Sequence, residues 1–189
     1  MMPMNVIVGI TGASGALYAT RLVEELSDHT RVIMIASDTA KQIIVDETET
    51  NYDELEELAH ESFSNHDMNA AICSGSREFD AMVILPCSMT TLAKISCGIA
   101  DNVITRAASV ALKERRKLII VPRETPLTGI HLENMLKLSR EGAIILPAMP
   151  GFYGRPETAL ELVDFIVGRI MDLLGLENEI GPRWGQDSD

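Results

Sequence analysis

Continuous apolar, β-branched runs recur along the chain at residues 4–10, 31–36, 81–85, 117–121 and 143–146. Each is followed by a turn and a segment of helical spacing, the alternation of a βα repeat. Runs such as Met82-Val83-Ile84-Leu85 and Leu118-Ile119-Ile120-Val121 are apolar throughout rather than alternating, as strands covered on both faces must be. The pattern predicts a Rossmann-like (flavodoxin-like) α/β fold, a doubly wound parallel sheet in a three-layer αβα sandwich. Helices are predicted over Thr39 to Val45 and Pro156 to Leu174. Ligands of such sheets bind beyond the carboxyl ends of the strands, so the residues that follow each strand are the ones to read for chemistry.

Length and composition narrow the picture. A chain of 189 residues, 46% hydrophobic, suits a single domain with a sizeable core. The core is expected over about residues 4–175 and a C-terminal tail over 176–189, frayed after Trp184. The net charge of −12 opposes a nucleic-acid role, which needs a clustered basic face. Three cysteines, Cys73, Cys87 and Cys97, make no CxxC pair. They point away from a disulfide framework or a four-ligand zinc site and toward a reducing cytosol. No signal peptide and no apolar stretch of membrane-spanning length is read in the sequence. Eight acidic residues between 46 and 61, with Leu55 and Leu58 at helical spacing, read as a solvated helix flanked by loop.

The first strand runs into Thr11-Gly12-Ala13-Ser14-Gly15, a turn that aims backbone N–H groups at a phosphate or cofactor. By itself it equally fits a structural tight turn. It is not the dinucleotide fingerprint, and Ser37 stands where an acidic ribose ligand is expected, which disfavours NAD. Ser37 and Asp38 follow the second strand, and Pro86-Cys87-Ser88-Met89-Thr90-Thr91 follows the third. Each places hydroxyls at a helix N-terminus, where plain capping is sufficient explanation for either one. Together, at what read as neighbouring strand ends, they suit a flavin ring and its phosphate. Cys87 has no histidine partner nearby in sequence and reads as a small buried hydrophobe.

The fourth strand delivers Arg123 and Glu124 between Pro122 and Pro126. The arginine suits a phosphate or a flavin carbonyl and the carboxylate suits proton transfer, unless the two form a surface ion pair. The fifth strand leads to Pro150-Gly151-Phe152-Tyr153, where Tyr153 either bonds a phosphate or plugs the core. Arg169, among apolar residues of the last helix, requires an anionic partner. Arg106 and Lys113 lie two helical turns apart, so both can project from one helix face.

These segments resemble the UbiX-like flavin prenyltransferases. The resemblance is carried by Thr11-Gly12-Ala13-Ser14-Gly15, Asp46-Glu47-Thr48-Glu49, Pro86-Cys87-Ser88, the run from Arg106 to Arg116, Val121 to Pro126, His131 to Met135, Pro150 to Tyr153 and Pro182-Arg183-Trp184-Gly185. It implies FMN bound by Gly12, Ala13, Ser14, Ser37, Ser88, Met89, Thr90, Thr91 and Arg123. It further implies dimethylallyl phosphate held by Arg106, Lys113, Tyr153 and Arg169, and catalytic roles for Ser14, Glu47 and Glu124. The implied reaction transfers the dimethylallyl group to N5 and C6 of reduced FMN without a metal, and the prenylated FMN serves a partner UbiD-type decarboxylase. Clustered cations stabilise the charge that builds on the departing phosphate. Where many members carry a tryptophan this chain has Met68, leaving Trp184 or the flavin to supply π density. Trp184 also suits an interface anchor, and a homododecamer with sites at subunit contacts is expected. Two alternatives stand beside this reading: an FMN-dependent oxidative decarboxylase of a cysteine-containing substrate, whose Pro-x-Met-Asn-x-x-Met-Trp signature is absent, and a non-catalytic flavin carrier. Of the four histidines only His131 falls near a strand end, where helix N-terminal packing accounts for it.

Overall fold

A computed structural model describes residues 3–183 and Gly185. Its centre is a six-stranded, wholly parallel sheet in the order β3-β2-β1-β4-β5-β6. The strands are β1 (Asn5–Ile10), β2 (Arg31–Ala36), β3 (Glu61–Ser64), β4 (Ala81–Cys87), β5 (Lys117–Pro122) and β6 (Ile144–Ile145). The helices are α1 (Ala16–His29), α2 (Asp38–Glu47), α3 (Tyr52–Leu58), α4 (Met89–Ser96), α5 (Val103–Lys113), α6 (Gly129–Arg140) and α7 (Ala159–Leu174).

Strand residues alternate strictly between the two faces. Val6, Val8, Ile10, Val32, Met34, Val83 and Ile119 pack with residues of α1 and α7, whereas Ile7, Ile33, Ile35, Met82, Ile84 and Ile120 pack with residues of α4, α5 and α6. This is the predicted three-layer sandwich, and its covered strands explain the unbroken apolar runs. Each fully buried aliphatic side chain contributes about 1.5–3 kcal/mol of transfer free energy.

Five of the six strands lie on the predicted runs. The sixth, β3, begins at Glu61, the last residue of the acidic stretch, and runs on to Ser64, where the pattern predicts no strand. It pairs only with β2, Ile33 opposite Glu61 through Ala36 opposite Ser64. An edge strand is wetted along one side, and Glu-Ser-Phe-Ser therefore carries no continuous apolar signal. The predicted acidic helix is present as α3, anchored by Leu55 and closed by a reciprocal Asn51–Glu54 capping box. The observed α2 starts and ends beyond the predicted Thr39–Val45, and α7 starts at Ala159 rather than Pro156.

Residues 176–183 pack as a strap along α7, so the folded body extends past residue 175. The Ile180 carbonyl passes so close to Gly168 that a Cβ there would lie 2.4 Å from it. Only glycine permits this approach. Trp184 and the end of the tail, for which fraying and two aromatic roles are expected, lie outside the described residues.

Candidate active site

Strand order reverses at β1, whose neighbours are β2 on one side and β4 on the other. This is the topological switch point, where the chain leaves to opposite faces and opens a crevice above the carboxyl ends. The loop after β1 and the loop after β4 meet here. Thr11, 2% exposed, donates from its backbone N–H (3.2 Å) and its Oγ1 (2.8 Å) to the Pro86 carbonyl. The same Oγ1 accepts from the Ser88 N–H at 2.7 Å. A third loop joins them: Arg123 donates from its backbone N–H to the Cys87 carbonyl at 3.3 Å and from Nε to the Ser14 carbonyl at 3.0 Å.

Helix N-termini surround this junction. Ser37 caps α2, accepting from the Ala40 N–H at 3.1 Å, and Ser88 caps α4, accepting from the Thr91 N–H at 3.3 Å and donating to Thr91 Oγ1 at 3.1 Å. Met89, Thr90 and Thr91 form the first turn of α4. The two serines are not at neighbouring strand ends, as their sequence positions suggest; β1 lies between β2 and β4, so they flank the Gly12–Gly15 turn. Gly12 has no room for a side chain, since a Cβ would come within 2.9 Å of two Thr39 carbons. Ala13 beside it is buried, while Gly12 and Ser14 are exposed toward the crevice edge.

Glu47 corrects the expectation that the N–H groups of this turn wait for a phosphate. Its Oε2 accepts from the Gly15 N–H at 2.7 Å and the Ala16 N–H at 2.9 Å, capping α1 from the far end of α2. Partial burial pushes this carboxyl up, but hydrogen bonds from Ser14, Gly15 and Ala16 together with the Arg123 charge outweigh it and hold it below the ordinary glutamate value. The α1 N-terminus thus carries its own anion, and the hydroxyl-lined N-termini of α2 and α4 are the ones left for a ligand.

Glu124 is exposed next to Arg123, and its Oε1 accepts from the Thr125 N–H at 3.0 Å. Arg123 and Glu124 line a cavity of about 440 Å³ with Leu127, Ala148 and Met149 beyond the ends of β5 and β6. Cys87 is fully buried and burial pushes its thiol up, in keeping with a small buried hydrophobe. His131 belongs to the capping box of α6 with Thr128. Met68, half exposed, sits on the turn after β3 at the sheet edge. Among the described residues no group of three or more His, Cys, Asp or Glu side chains is placed to hold a metal, and no helix is long and apolar enough to cross a membrane.

The four cationic and phenolic residues expected around a second phosphate do not converge within one chain. Arg106 and Lys113 do share a face of α5, as their spacing requires, but Arg106 donates to the Cys73 carbonyl at 3.0 Å. Lys113, at the far end of the helix, pairs with Glu114 beside Gly75. Tyr153 and Arg169 lie together on the opposite face of the sheet, lining a cavity of about 350 Å³ along α7 and the strap. There Arg169 has the anionic partner its sequence context demanded, Asp172, at 3.1 Å.

Sequence reasoning missed three contributors. Thr11 is inconspicuous in the sequence beside the glycines of its turn, although it is the first residue past β1. Asn65 caps α5 through its Oδ1 and its carbonyl and follows the unrecognised strand. Asp172 meets Arg183 only through the path of the strap, for which no local pattern speaks.

Three stitched loops and hydroxyl-capped helices fanned about a switch point define an α/β protein built to hold a phosphorylated cofactor beyond its strand ends. The Flavoprotein family profile matches residues 1–171. The flavin prenyltransferase UbiX of Methanocaldococcus jannaschii is 50% identical over 96% of this chain and 99% of its own length. A dodecameric FMN-dependent UbiX-like decarboxylase from Escherichia coli O157:H7 superposes with a TM-score of 0.94 at 45% identity, covering 96% of this chain and 99% of that one. AnUbiX (PadA1), solved with FMN and dimethylallyl pyrophosphate, superposes with a TM-score of 0.95 at 38% identity, covering 98% of this chain and all of that one. The chain belongs to the UbiX family of flavin prenyltransferases.

Proposed function

We propose that this protein transfers the dimethylallyl group of dimethylallyl phosphate to reduced FMN and releases the prenylated flavin for a UbiD-type decarboxylase. The observation that carries this reading is the convergence of Ser14, Glu47 and Arg123 on one turn at the switch point, where the Ser14 hydroxyl bonds the Glu47 carboxylate and the Ser14 carbonyl accepts from the Arg123 guanidinium. Gly12 keeps that turn thin against Thr39, and Ser37, Ser88 and Thr91 offer hydroxyls at two helix N-termini, a donor set that fits a flavin and its phosphate. Reduced FMN supplies N5 and C6 as the positions to which the prenyl unit is joined.

This chain's residues do the rest. Arg123 is tethered at Ser14 by Nε, so its remaining N–H groups are free to orient a phosphate or ring carbonyl. Glu124 and Ser14, both exposed at the crevice, are placed to move protons: the ring position that accepts the prenyl group loses one, and the phosphate gains one as it leaves. Glu47, ionised and fixed, holds the turn and favours positive charge developing on the prenyl carbon. The donor phosphate falls to Arg106, Lys113, Tyr153 and Arg169. Because these side chains occupy opposite faces of one sheet, a single site containing all four requires more than one copy of the chain, in keeping with a homododecamer whose sites lie at subunit contacts. Exposed Ile130, Leu132, Leu136, Met149 and Phe152 supply apolar surface for such contacts.

The test is anaerobic incubation with reduced FMN and dimethylallyl monophosphate or diphosphate, followed by mass spectrometry of the extracted flavin. A gain of one isoprenyl unit supports the reading, and the preferred donor identifies the natural phosphate. Unmodified flavin from FMN-loaded protein with both donors, or carbon dioxide release from a cysteine-terminated peptide, overturns it.

A further inference from the structure

We infer that Arg183 is a second cation of the donor-phosphate subsite and that Asp172 is the positioning residue that sets both Arg183 and Arg169 toward it. The inference rests on the placement of the donor at Tyr153 and Arg169 proposed above. The side chains meet in the cavity along α7, which Arg169, Asp172, Arg183 and Tyr153 line together. Arg183 forks onto the carboxylate, Nη2 to Oδ1 at 3.0 Å and Nη1 to Oδ2 at 3.4 Å, while Arg169 Nη1 reaches Oδ2 at 3.1 Å from the same helix. Asn178 completes the arrangement by donating to Asp172 Oδ1 at 3.1 Å and accepting Arg183 Nη2 at its carbonyl at 2.9 Å.

Pinning the strap does not need this much charge. Gly168 against the Ile180 carbonyl, and Gly154 against the Pro182 ring, already seat it by close packing. What the arginine adds is a surplus cation: two guanidiniums on one carboxylate leave a local charge of +1 in a chain of net charge −12. Both guanidiniums keep open surface, with side chains 53% exposed at Arg169 and 38% at Arg183, against 25% at Asp172. Each has five N–H donors, and Asp172 takes one from Arg169. The remaining donors can receive phosphate oxygens while the carboxylate fixes the direction in which the forks point. Tyr153 is tied to the same strap, its hydroxyl donating to the Pro182 carbonyl at 3.1 Å. The strap therefore sets the phenol and both arginines in one frame.

The experiment compares Arg183→Ala, Arg183→Lys and Asp172→Asn in the FMN-loaded, full-length protein. It reads kcat and KM for dimethylallyl phosphate and, by calorimetry, affinity for inorganic pyrophosphate. Arg183→Ala is expected to raise KM about tenfold with kcat within about twofold, pyrophosphate affinity falling in parallel, and Arg183→Lys to recover part of both. Asp172→Asn decides the positioning role by its sign. Removing a negative charge beside two arginines would by itself tighten anion binding, whereas loss of orientation weakens it, so KM is expected to rise. Unchanged KM and pyrophosphate affinity in Arg183→Ala, or a lowered KM in Asp172→Asn, overturns the inference. Should Arg183→Ala fail to fold, judged by loss of the cooperative thermal transition, the lysine and asparagine variants decide it alone. Pyrophosphate affinity keeps the two readings apart: wild type that makes no prenylated flavin sinks the proposed function, while the calorimetric comparison still reports on this subsite.

Discussion

The crevice at the switch point and the arginine cavity along α7 are built on opposite plans. The crevice is lined by backbone N–H groups and hydroxyl side chains, and Thr11, Ser88 and Arg123 cross-link its three loops by hydrogen bonds within the chain. The cavity is made of long side chains on the surface, aimed by a carboxylate and by a strap from the end of the chain. On the proposed function a rigid flat acceptor would meet a preformed cradle. The donor phosphate would meet exposed cations held by Asp172, and two more candidate cations, Arg106 and Lys113, lie on the other side of the sheet. The two regions should therefore fail independently when mutated.

The largest effect is expected from Arg169→Ala. Loss of a charge-assisted phosphate contact costs about 2–3 kcal/mol, or ~30- to 150-fold in kcat/KM for the donor. FMN affinity, measured by flavin fluorescence, should not move, and its collapse would erase the distinction between the two regions. Gly12→Val is the converse probe. Its side chain would collide with Thr39, whose nearest carbon stands 2.8 Å from the position of a Cβ, so the turn must lift from α2. FMN affinity is expected to fall about tenfold, at a cost of about 1–3 kcal/mol typical of overpacking, with the donor KM unaltered at saturating FMN. Gly168→Ala sharpens the same contrast from the other side. Alanine favours the helix by up to about 1 kcal/mol, yet its methyl must displace the Ile180 carbonyl and with it the strap. Thermal stability should change little while the donor KM rises about threefold to tenfold.

The same division governs what could be read from the sequence. The stitched crevice was largely legible, because each of its residues directly follows a strand whose apolar run is unmistakable: Gly12 to Ser14 after β1, Ser37 after β2, Ser88 to Thr91 after β4, Arg123 and Glu124 after β5. The strand order was less so, since β3 is a polar edge strand and only its presence turns five strands into the observed six. The occupation of the α1 N-terminus by Glu47 was not legible, as a carboxylate 32 residues from Gly15 in sequence gives no local sign of capping it. Nor was the separation of Arg106 and Lys113 from Tyr153 and Arg169, because helical spacing reports one face of one helix and says nothing of which side of the sheet that helix covers. The link from Asp172 to Arg183 depends on the path of the strap, which two close glycine contacts set and no periodicity encodes.

The smallest expected effect tests whether the crevice is as self-sufficient as its hydrogen bonds suggest. Glu47 is held ionised below the ordinary glutamate range in the folded protein, so its contribution to stability is fully present above the unfolded carboxyl's titration, near pH 4.5. It fades as pH falls through the lower folded value. Glu47→Gln keeps an oxygen that can accept from Gly15 and Ala16 but removes the charge at the α1 N-terminus and beside Arg123. Because the side chain is largely exposed, screening limits the loss to about 0.5–1 kcal/mol at neutral pH. That amounts to ~1–4 °C in Tm for a chain of this size. Scanning calorimetry of both proteins from pH 7 to pH 3 should show the curves converging at the acid end. A gap that stays constant across the range would mean that Glu47 acts through packing alone, and that the α1 N-terminus is open to a ligand's anion after all.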